Sequence, residues 1–366
     1  MNNNPFNTAS FIRPDVIGLK PYKPVVPIET LAAQLGVSPD EIIKLDANEN
    51  LYGPSPRALE AVKNLRYLHI YPDPEANDLR QALSRYTGIP VDNLMVGSGA
   101  DELIDMITRL FLRPGDKIIN CPPTFGMYAI CAGINGGQVV NVPRHTDQSL
   151  NVPAIETAIA EAAGAKLLFI PAPNNPDGSA ISEAELRELL ALPIVIALDE
   201  AYFEFHNRSF ITWVLEHPNL IVLRTFSKWA GLAGLRVGYG AFPGAIIKHL
   251  WKIKAPYNVN VAAQAAALAS LQDLDYLKAN IAKITATRDK FQADLQQIPW
   301  LKAYPSYTNF VLVKALDRNA ADVQSALAQE GILIRYYNSP GLQDHVRISI
   351  GTPSQMDKLI ERLKKL

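Results

Sequence analysis

The 366-residue sequence predicts an α/β protein with two parts: a large domain with a mainly parallel seven-stranded sheet flanked by helices, and a small α/β domain. From about residue 90 to residue 240, short apolar runs alternate with amphipathic stretches, the pattern of repeated β-α units. After Pro243 the pattern changes to long helical segments followed by shorter strands. The length alone also suggests about two domains.

The strands of the large sheet are predicted from apolar, often β-branched runs. They cover residues 93–97, 116–120, 137–142, 166–170, 193–198, 219–224 and 236–241. A helix is expected from about Ala100 to Leu112. Another begins at Ser182, where Ser-x-x-Glu up to Glu185 forms a capping box.

The remaining segments predict the smaller domain. Helical patterns cover residues 260–274 and 276–298, strands are expected at 308–314, 331–337 and 345–351, and helices at 322–331 and 353–366. The first 45 or so residues are rich in proline, and we expect them to join the small domain or to lie as an arm across it or a partner. The predicted boundaries are 1–45 for this arm, 46–250 for the large domain, and 251–366 for a connecting helix and the small domain.

Composition excludes several classes of protein. Hydrophobic residues make up 48%, charged residues 19%, and the formal net charge is −1, so neither disorder nor binding to nucleic acid is indicated. No apolar run approaches the ~18 residues of a membrane span, and the start "MNNNPFNTAS" lacks a signal-peptide pattern, so we expect a cytoplasmic protein. Cys121 and Cys131 have no neighbours at metal-ligand spacing, and no metal site is predicted.

Polar side chains follow three strands of the predicted large sheet. Asp199 ends one apolar strand and Tyr202 follows it, Asn175 lies in the turn after a second, and Lys228 follows a third. In open parallel sheets, ligands bind beyond the carboxyl ends of the strands, so an acid, a phenol, an amide and an amine would meet in one crevice.

Each of these side chains taken alone also fits a structural role. Asp199 could cap a helix, Tyr202 could be a rim aromatic, the Asn-Asn-Pro segment could be only a turn, and most lysines are solvated. A lysine buried at a strand end, however, would lose solvation unless its amine were neutral or covalently bound. Their joint occurrence therefore favours a site.

Pyridoxal phosphate is a cofactor that uses all four groups. It bonds covalently to a lysine, which suits Lys228, and an acid such as Asp199 keeps its ring nitrogen protonated. Tyr202 and Asn175 could donate to its phenolic oxygen.

The cofactor's phosphate requires a binding site, and the turn at Gly97–Gly99 is a candidate for it. The backbone N–H groups of Ala100 and Asp101 begin a helix there and can face an anion. Three further side chains could complete the cradle: Thr225, Ser227 and Arg236. Phe125 could stack on the ring. A glycine turn, a structural ion pair of Arg236 and a core Phe125 are the alternatives.

Ten motifs together resemble the fold-type I, aspartate-aminotransferase-like PLP enzymes, and among them the histidinol-phosphate aminotransferases. They are "LKPYKP", "KLDANENLYGPSP", "YPDP", "GSGADE", "PPTFGMY", "NNPDG", "LDEAYFEF", "TFSKWAGLAGLRVGY", "RYYN" and "VRISIGT". The resemblance implies the PLP-dependent transferase fold of type I. It also implies transfer of an amino group between L-histidinol phosphate and 2-oxoglutarate, in histidine biosynthesis.

The resemblance implies a role for each matching residue. Lys228, Asp199 and Tyr202 would be catalytic. The cofactor would also be bound by Gly99, Ala100, Asp101, Phe125, Asn175, Thr225, Ser227 and Arg236, and by Tyr71 from the partner subunit of a homodimer. Tyr22, Asn48, Arg335 and Arg347 would bind the substrate.

The sequence departs from the family pattern in three places. One is the segment "RYYNSPGLQDH", which differs from the family between the two arginines. Asp177 stands where threonine is common, and Phe125 where tyrosine is common. An aromatic aminotransferase or a threonine-phosphate decarboxylase would keep every cofactor residue, so these alternatives differ only in the substrate pocket. A non-catalytic PLP-binding module is disfavoured because both Lys228 and Asp199 are present.

Overall fold

The computed structural model describes residues 7–19 and 26–366, which form two β-sheets surrounded by helices. The strands are β1 (Ile43–Leu45), β2 (Leu94–Gly97), β3 (Lys117–Asn120), β4 (Gln138–Asn141), β5 (Ala165–Pro171), β6 (Val195–Asp199), β7 (Leu220–Thr225), β8 (Gly238–Ala241), β9 (Leu301–Ala303), β10 (Phe310–Ala315), β11 (Ile332–Tyr336) and β12 (His345–Ser349). The α-helices are α1 (Pro14–Ile17), α2 (Ile28–Leu35), α3 (Pro56–Lys63), α4 (Asn77–Thr87), α5 (Gly99–Phe111), α6 (Met127–Ile134), α7 (Val152–Glu161), α8 (Glu183–Leu190), α9 (Phe203–His206), α10 (Gly244–Ile253), α11 (Val261–Leu271), α12 (Leu274–Leu295), α13 (Ala320–Gln329) and α14 (Pro353–Leu363).

The larger sheet has seven strands in the order β2-β8-β7-β6-β5-β3-β4. Strand β8 runs antiparallel to β2 and β7, and the other neighbours are parallel. All seven predicted strands are confirmed. The carboxyl ends of β3, β5, β6 and β7 consequently meet at one edge, as the sequence predicted.

Both faces of this sheet are buried. Successive residues of β5 alternate between two hydrophobic clusters, with Leu168 and Ile170 in one, and Leu167 and Phe169 in the other. A strand that buries both faces appears in sequence as an uninterrupted apolar run, which explains why these strands were readily predicted.

The smaller sheet has the order β1-β11-β12-β10-β9. The three predicted strands of this part, now β10, β11 and β12, are confirmed, whereas β1 and β9 were missed because three residues are too few to show a period. Strand β1 pairs in parallel with β11 and thus joins this sheet. Arg13, before α1, instead donates to the main-chain oxygen of Ile134 at the end of α6 (3.0 Å). The domain boundaries remain a prediction.

Local signals set the starts of two helices on the large sheet. The side chain of Ser182 accepts from the N–H of Glu185 (3.2 Å), whose carboxylate accepts from the N–H of Ser182 (2.7 Å), so the predicted capping box is present at α8. Helix α5 begins at Gly99, one residue before its predicted start. Within the described residues, every helix is too short or too polar to cross a bilayer.

A buried ion pair lies beside the end of β6. The Arg224 guanidinium contacts the Glu200 carboxylate at 2.9 Å, and their side chains are only 3% and 1% exposed. Ser209 and the N–H of Phe210 also donate to Glu200. Both oxygens of this carboxylate thereby accept hydrogen bonds, and the loop after β6 is tied to β7.

We expect Glu200→Gln to lower the free energy of unfolding by about 3–5 kcal/mol, because it leaves the Arg224 charge buried without its counterion. Glu60→Gln is the matched control, since Glu60 pairs with Lys63 at 3.9 Å on the surface, and should cost less than about 1 kcal/mol. Urea unfolding followed by circular dichroism measures both. Equal midpoints for the two variants would contradict the expectation.

Candidate active site

One cavity of about 1780 Å³ lies between the carboxyl ends of the large-sheet strands and the small sheet. It brings together most of the predicted site residues. Those lining it are Asn48, Ala100, Asp101, Phe125, Asn175, Asp199, Tyr202, Thr225, Ser227, Lys228, Arg236, Arg335 and Arg347.

Asp199 is a buried acid with neutral hydrogen-bond donors. It is the last residue of β6, and its carboxylate accepts from the Tyr128 hydroxyl (2.7 Å) and the N–H of Ala201 (3.0 Å). Burial raises the pKa of Asp199 to about 6, and the bond from Tyr128 opposes that rise. A cationic group placed beside it would therefore be strongly favoured.

Lys228 lies three residues after β7, the strand next to β6. Its amine donates to the main-chain oxygen of Ala47 (3.3 Å). Burial, and secondarily the positive charge of Arg347, lower the pKa of Lys228 to about 8. About a tenth of the amine is consequently neutral at pH 7, and able to act as a nucleophile or base.

Asn48 connects Tyr202 to the small sheet. Its amide donates to the Tyr202 hydroxyl (3.0 Å), while its side-chain oxygen accepts from Ser349 on β12 (3.0 Å). Burial raises the pKa of Tyr202 to about 12, so the phenol keeps its proton. Because the oxygen already accepts from Asn48, the O–H remains to donate to a ligand.

Arg347 fixes the orientation of the Asn175 amide. It donates to the Asn175 side-chain oxygen (2.8 Å) and to the main-chain oxygen of Asp46 (2.6 Å). With that oxygen turned towards Arg347, the NH₂ group of Asn175 points elsewhere as a donor. Arg335 is directly opposite Arg347 in the β11–β12 ladder, so two guanidinium groups come from one face of the small sheet.

Close packing builds an anion cradle at the start of α5. Gly99 has a φ of +77°, which residues with a side chain rarely adopt, and a Cβ on Gly238 would lie 2.6 Å from the backbone N of Ala100, so both positions require glycine. Arg236 Nη2 pairs with the Asp101 carboxylate (2.8 Å). The Arg236 guanidinium thus lies beside the free N–H groups at the start of α5.

Two hydroxyls extend this cradle. The Thr225 hydroxyl donates to the Ser227 oxygen (2.9 Å), and Arg236 Nη1 donates to the same oxygen (3.4 Å). Thr225, Ser227 and Arg236, the three side chains predicted to bind a phosphate, are therefore in contact with one another.

The remaining predicted residues lie as follows. Phe125 lines the cavity and packs edge-to-face on Tyr128 at 5.6 Å between centroids. Tyr71 lies outside the cavity, is 77% exposed and stacks on Tyr257. Gly99 underlies the cradle. Tyr22 lies outside the described residues.

Sequence reasoning missed Tyr128 and the role of Asp177. Tyr128 lies in the quoted segment "PPTFGMY", but only packing shows that it reaches Asp199. Asp177, noted as a departure, is buried and accepts from the N–H of Ser179 (2.6 Å) and from the amide of Asn174. It closes the turn that presents Asn175, and a carboxylate in the turn signals such a cap.

The sequence profile of the family "Aminotransferase class I and II" matches residues 40–363. The chain belongs to this aminotransferase family. A histidinol-phosphate aminotransferase from Roseiflexus castenholzii is 50% identical to this aminotransferase, over 99% of this chain and 100% of the relative.

Solved structures share the fold of this aminotransferase. A histidinol-phosphate aminotransferase from Sinorhizobium meliloti, in complex with pyridoxal-5'-phosphate, has a TM-score of 0.87 and 31% identity, over 97% of each chain. An L-threonine-O-3-phosphate decarboxylase from Porphyromonas gingivalis has a TM-score of 0.78 and 25% identity, over 88% of this chain and 99% of the other. The fold therefore accommodates more than one reaction.

The site of this aminotransferase fits pyridoxal phosphate. The cradle at Gly99 and Arg236 suits a phosphate, the partly neutral amine of Lys228 suits an aldehyde, and the buried acid Asp199 suits a protonated ring nitrogen. Each group has the charge and donor set that its counterpart on the cofactor requires.

In the cofactor-free protein, we expect acylation of the Lys228 amine to rise with pH through a midpoint of about 8, whereas an ordinary lysine has its midpoint near 10.4. Below that pH the amine is protonated and unreactive. Arg347→Met should move the midpoint upward because a nearby positive charge is removed. Arg318→Met removes another arginine that lines the cavity, one paired with Asp317 (3.5 Å), and should leave the midpoint unchanged.

Peptide mass spectrometry after brief labelling across pH 6–11 measures this midpoint. A midpoint near 10 in the wild-type protein, or one that is the same in Arg347→Met, would contradict the assigned environment of Lys228.

Proposed function

We propose that this aminotransferase uses pyridoxal phosphate to exchange an amino group between L-histidinol phosphate and 2-oxoglutarate. The products are imidazole-acetol phosphate and L-glutamate, and the reaction belongs to histidine biosynthesis. The observation that carries the proposal is the pair Arg335 and Arg347, which stand side by side in the cavity that contains Lys228. The amino donor carries a phosphate and the amino acceptor carries carboxylates, and a guanidinium can form two parallel hydrogen bonds with either anion.

The names of the relatives support this substrate. The 50% identity to a histidinol-phosphate aminotransferase extends over the whole length of that relative. The small sheet, which carries both arginines, therefore lies within the shared region.

The proposed chemistry divides between the cofactor and the chain. When bound, pyridoxal phosphate supplies an aldehyde for the amine and a protonated ring that delocalises charge from Cα. The Lys228 amine would remove the proton from the substrate's Cα, because its lowered pKa keeps it partly unprotonated. Asp199 would hold the proton on the ring nitrogen.

Tyr202 and Asn175 would orient the ring. Each has a donor left over after its contacts with Asn48 and Arg347, and the two donors would meet the phenolic oxygen. Thr225, Ser227, Arg236 and the first N–H groups of α5 would hold the phosphate.

Two other activities would keep this cofactor site. An aromatic aminotransferase would not need two arginines for a phosphate, and a threonine-phosphate decarboxylase would release carbon dioxide instead of transferring nitrogen. Both alternatives differ from the proposal in products that can be measured.

We expect the cofactor-loaded enzyme to form glutamate from L-histidinol phosphate and 2-oxoglutarate at least about tenfold more efficiently than from L-phenylalanine, the size expected of one charge-assisted hydrogen bond. Arg335→Gln should lower kcat/KM for histidinol phosphate, whereas Arg318→Gln should not. Lys228→Ala should lose about 10²–10⁴-fold in rate.

Coupled detection of glutamate gives these rates. Faster conversion of phenylalanine would favour the aromatic alternative, and release of carbon dioxide from O-phosphothreonine would favour the decarboxylase. Either result would overturn the proposed substrate.

We propose in addition that the enzyme is a homodimer with shared sites. Tyr67, Leu68, Ile70 and Tyr71 are all exposed, an apolar run of the kind that marks a protein interface. In this arrangement Tyr71 would reach the cofactor phosphate of the partner, which accounts for its place outside its own cavity.

Coexpression of Tyr71→Ala and Lys228→Ala chains tests the shared site. A mixed dimer would contain one site with both an intact Lys228 and an intact Tyr71, so random pairing should restore about a quarter of wild-type activity per subunit. Each variant alone should be nearly inactive. If Tyr71 served its own subunit, the mixture would show only the sum of the two separate activities.

We also propose that the enzyme is cytoplasmic. Cys121 and Cys131 are both free and buried, as is usual for proteins of a reducing compartment. Small molecules are its expected partners, with neither nucleic acid nor membrane.

A further inference from the structure

The cavity extends beyond the residues that the proposed function uses. Past the carboxyl ends of β3 and β4 it continues into a region that we call the outer wing, lined by Asn120, Asn141, Arg144, His145, Thr146 and Gln148. Strand β3 is two places from β6 in the sheet. At about 4.8 Å per strand, the end of β3 lies on the order of 10 Å from Asp199.

Arg144 is held rigidly at the base of the outer wing. Its Nε donates to the main-chain oxygen of Cys121 (3.3 Å), and its Nη1 donates to the main-chain oxygen of Gln148 (3.0 Å) and to the Ser179 hydroxyl (3.2 Å). A guanidinium fixed in this way loses little conformational entropy when it binds a ligand.

The charge of Arg144 is not neutralised by its own chain. All three acceptors are neutral, and no carboxylate pairs with Arg144 in the described residues. Nη2 has no hydrogen-bond partner in the same ranges and is not buried, so its two N–H donors are left for a ligand. A planar guanidinium with one free edge matches a carboxylate or phosphate oxygen.

Two buried amides beside Arg144 also lack partners. Gln148 and Asn120 are 7% and 6% exposed, and Gln148 Oε1 and Asn120 Oδ1 have no hydrogen bond in the described chain. The other end of the Asn120 amide donates to Asn141 Oδ1 (2.9 Å). Both atoms are hydrogen-bond acceptors and do not bind the oxygens of an unprotonated anion, so only a ligand that carries an O–H, such as a monoprotonated phosphate, would pair with them.

We propose that the outer wing is a second anion-binding subsite, centred on Arg144, that receives the phosphate or carboxylate of a small substrate before it reaches Lys228. That the anion is a substrate rests on the proposed function, whereas the presence of an anion site does not. An anion held there is retained close to the catalytic amine, which raises its local concentration.

Anion binding at Arg144 can be measured without following the enzymatic reaction. The holoenzyme is titrated with inorganic phosphate or with malonate at constant ionic strength, and modification of Arg144 by phenylglyoxal is followed by peptide mass spectrometry. We expect protection of Arg144 by at least one of the two anions. Protection by phosphate alone would identify a phosphate site, and protection by malonate alone a carboxylate site.

Two variants test the electrostatic argument without removing Arg144. Asn141→Asp keeps the acceptor for the Asn120 amide but adds a negative charge to the outer wing, and should raise the protecting concentration about threefold to tenfold. Ser179→Ala removes one contact of Arg144 and leaves the charge, so it should change that concentration less than about twofold.

The charge of Arg144 should also affect kcat/KM for anionic substrates. Asn141→Asp and Arg144→Gln should both lower kcat/KM for anionic donors through a higher KM, and Arg144→Lys should recover part of the loss because it restores the charge. A fall in kcat/KM for Arg144→Gln that Arg144→Lys does not relieve, and that Asn141→Asp does not share, would indicate a purely structural role and overturn the proposal.

Failure of this inference is separable from failure of the proposed function. Absence of protection by both anions would overturn the subsite and leave the transaminase activity untouched. Protection of Arg144 in an enzyme that does not convert histidinol phosphate would retain the subsite and overturn the proposed substrate.

Discussion

The parallel pairing of β6 with β7 is the constraint on which the site depends. Asp199 pairs with Leu223 in that ladder, so the acid and Lys228 leave the sheet at the same edge. Both are withdrawn from water, and burial moves their pKa values towards each other, to about 6 for Asp199 and about 8 for Lys228. The two groups are thereby poised for opposite tasks in one cavity, and the hydrophobic packing on both faces of the sheet compensates for their desolvation.

The small sheet completes the environment of these groups from the other side. Arg347 reaches across to Asn175 and to the main chain at Asp46, and its charge contributes to the lowered pKa of Lys228. A substrate anion that binds Arg347 would compensate this charge. Substrate recognition and the basicity of the catalytic amine are therefore electrostatically linked.

Local signals account for what could be predicted from the sequence. Buried parallel strands form apolar runs, so all seven large-sheet strands were found, and polar residues directly after those runs indicated Asp199 and Lys228. Strand β1 was missed because its three residues are defined only by pairing with β11. Tyr128 was missed because its contact with Asp199 joins residues far apart in sequence. The lack of a carboxylate partner for Arg144 among the described residues is likewise a property of packing alone.

Asn48 has a consequence for movement of the two sheets. It holds the Tyr202 hydroxyl on one side and accepts from Ser349 on the other, with its main-chain N–H also bound to Ser349. Asn48 makes two hydrogen bonds to Ser349 and one to Tyr202, so a separation of the two sheets would act on the bond to Tyr202. Lengthening of that bond would weaken the Tyr202 hydroxyl as a donor, and Asn48 would thereby couple the width of the cleft to the hydrogen bonding of the site.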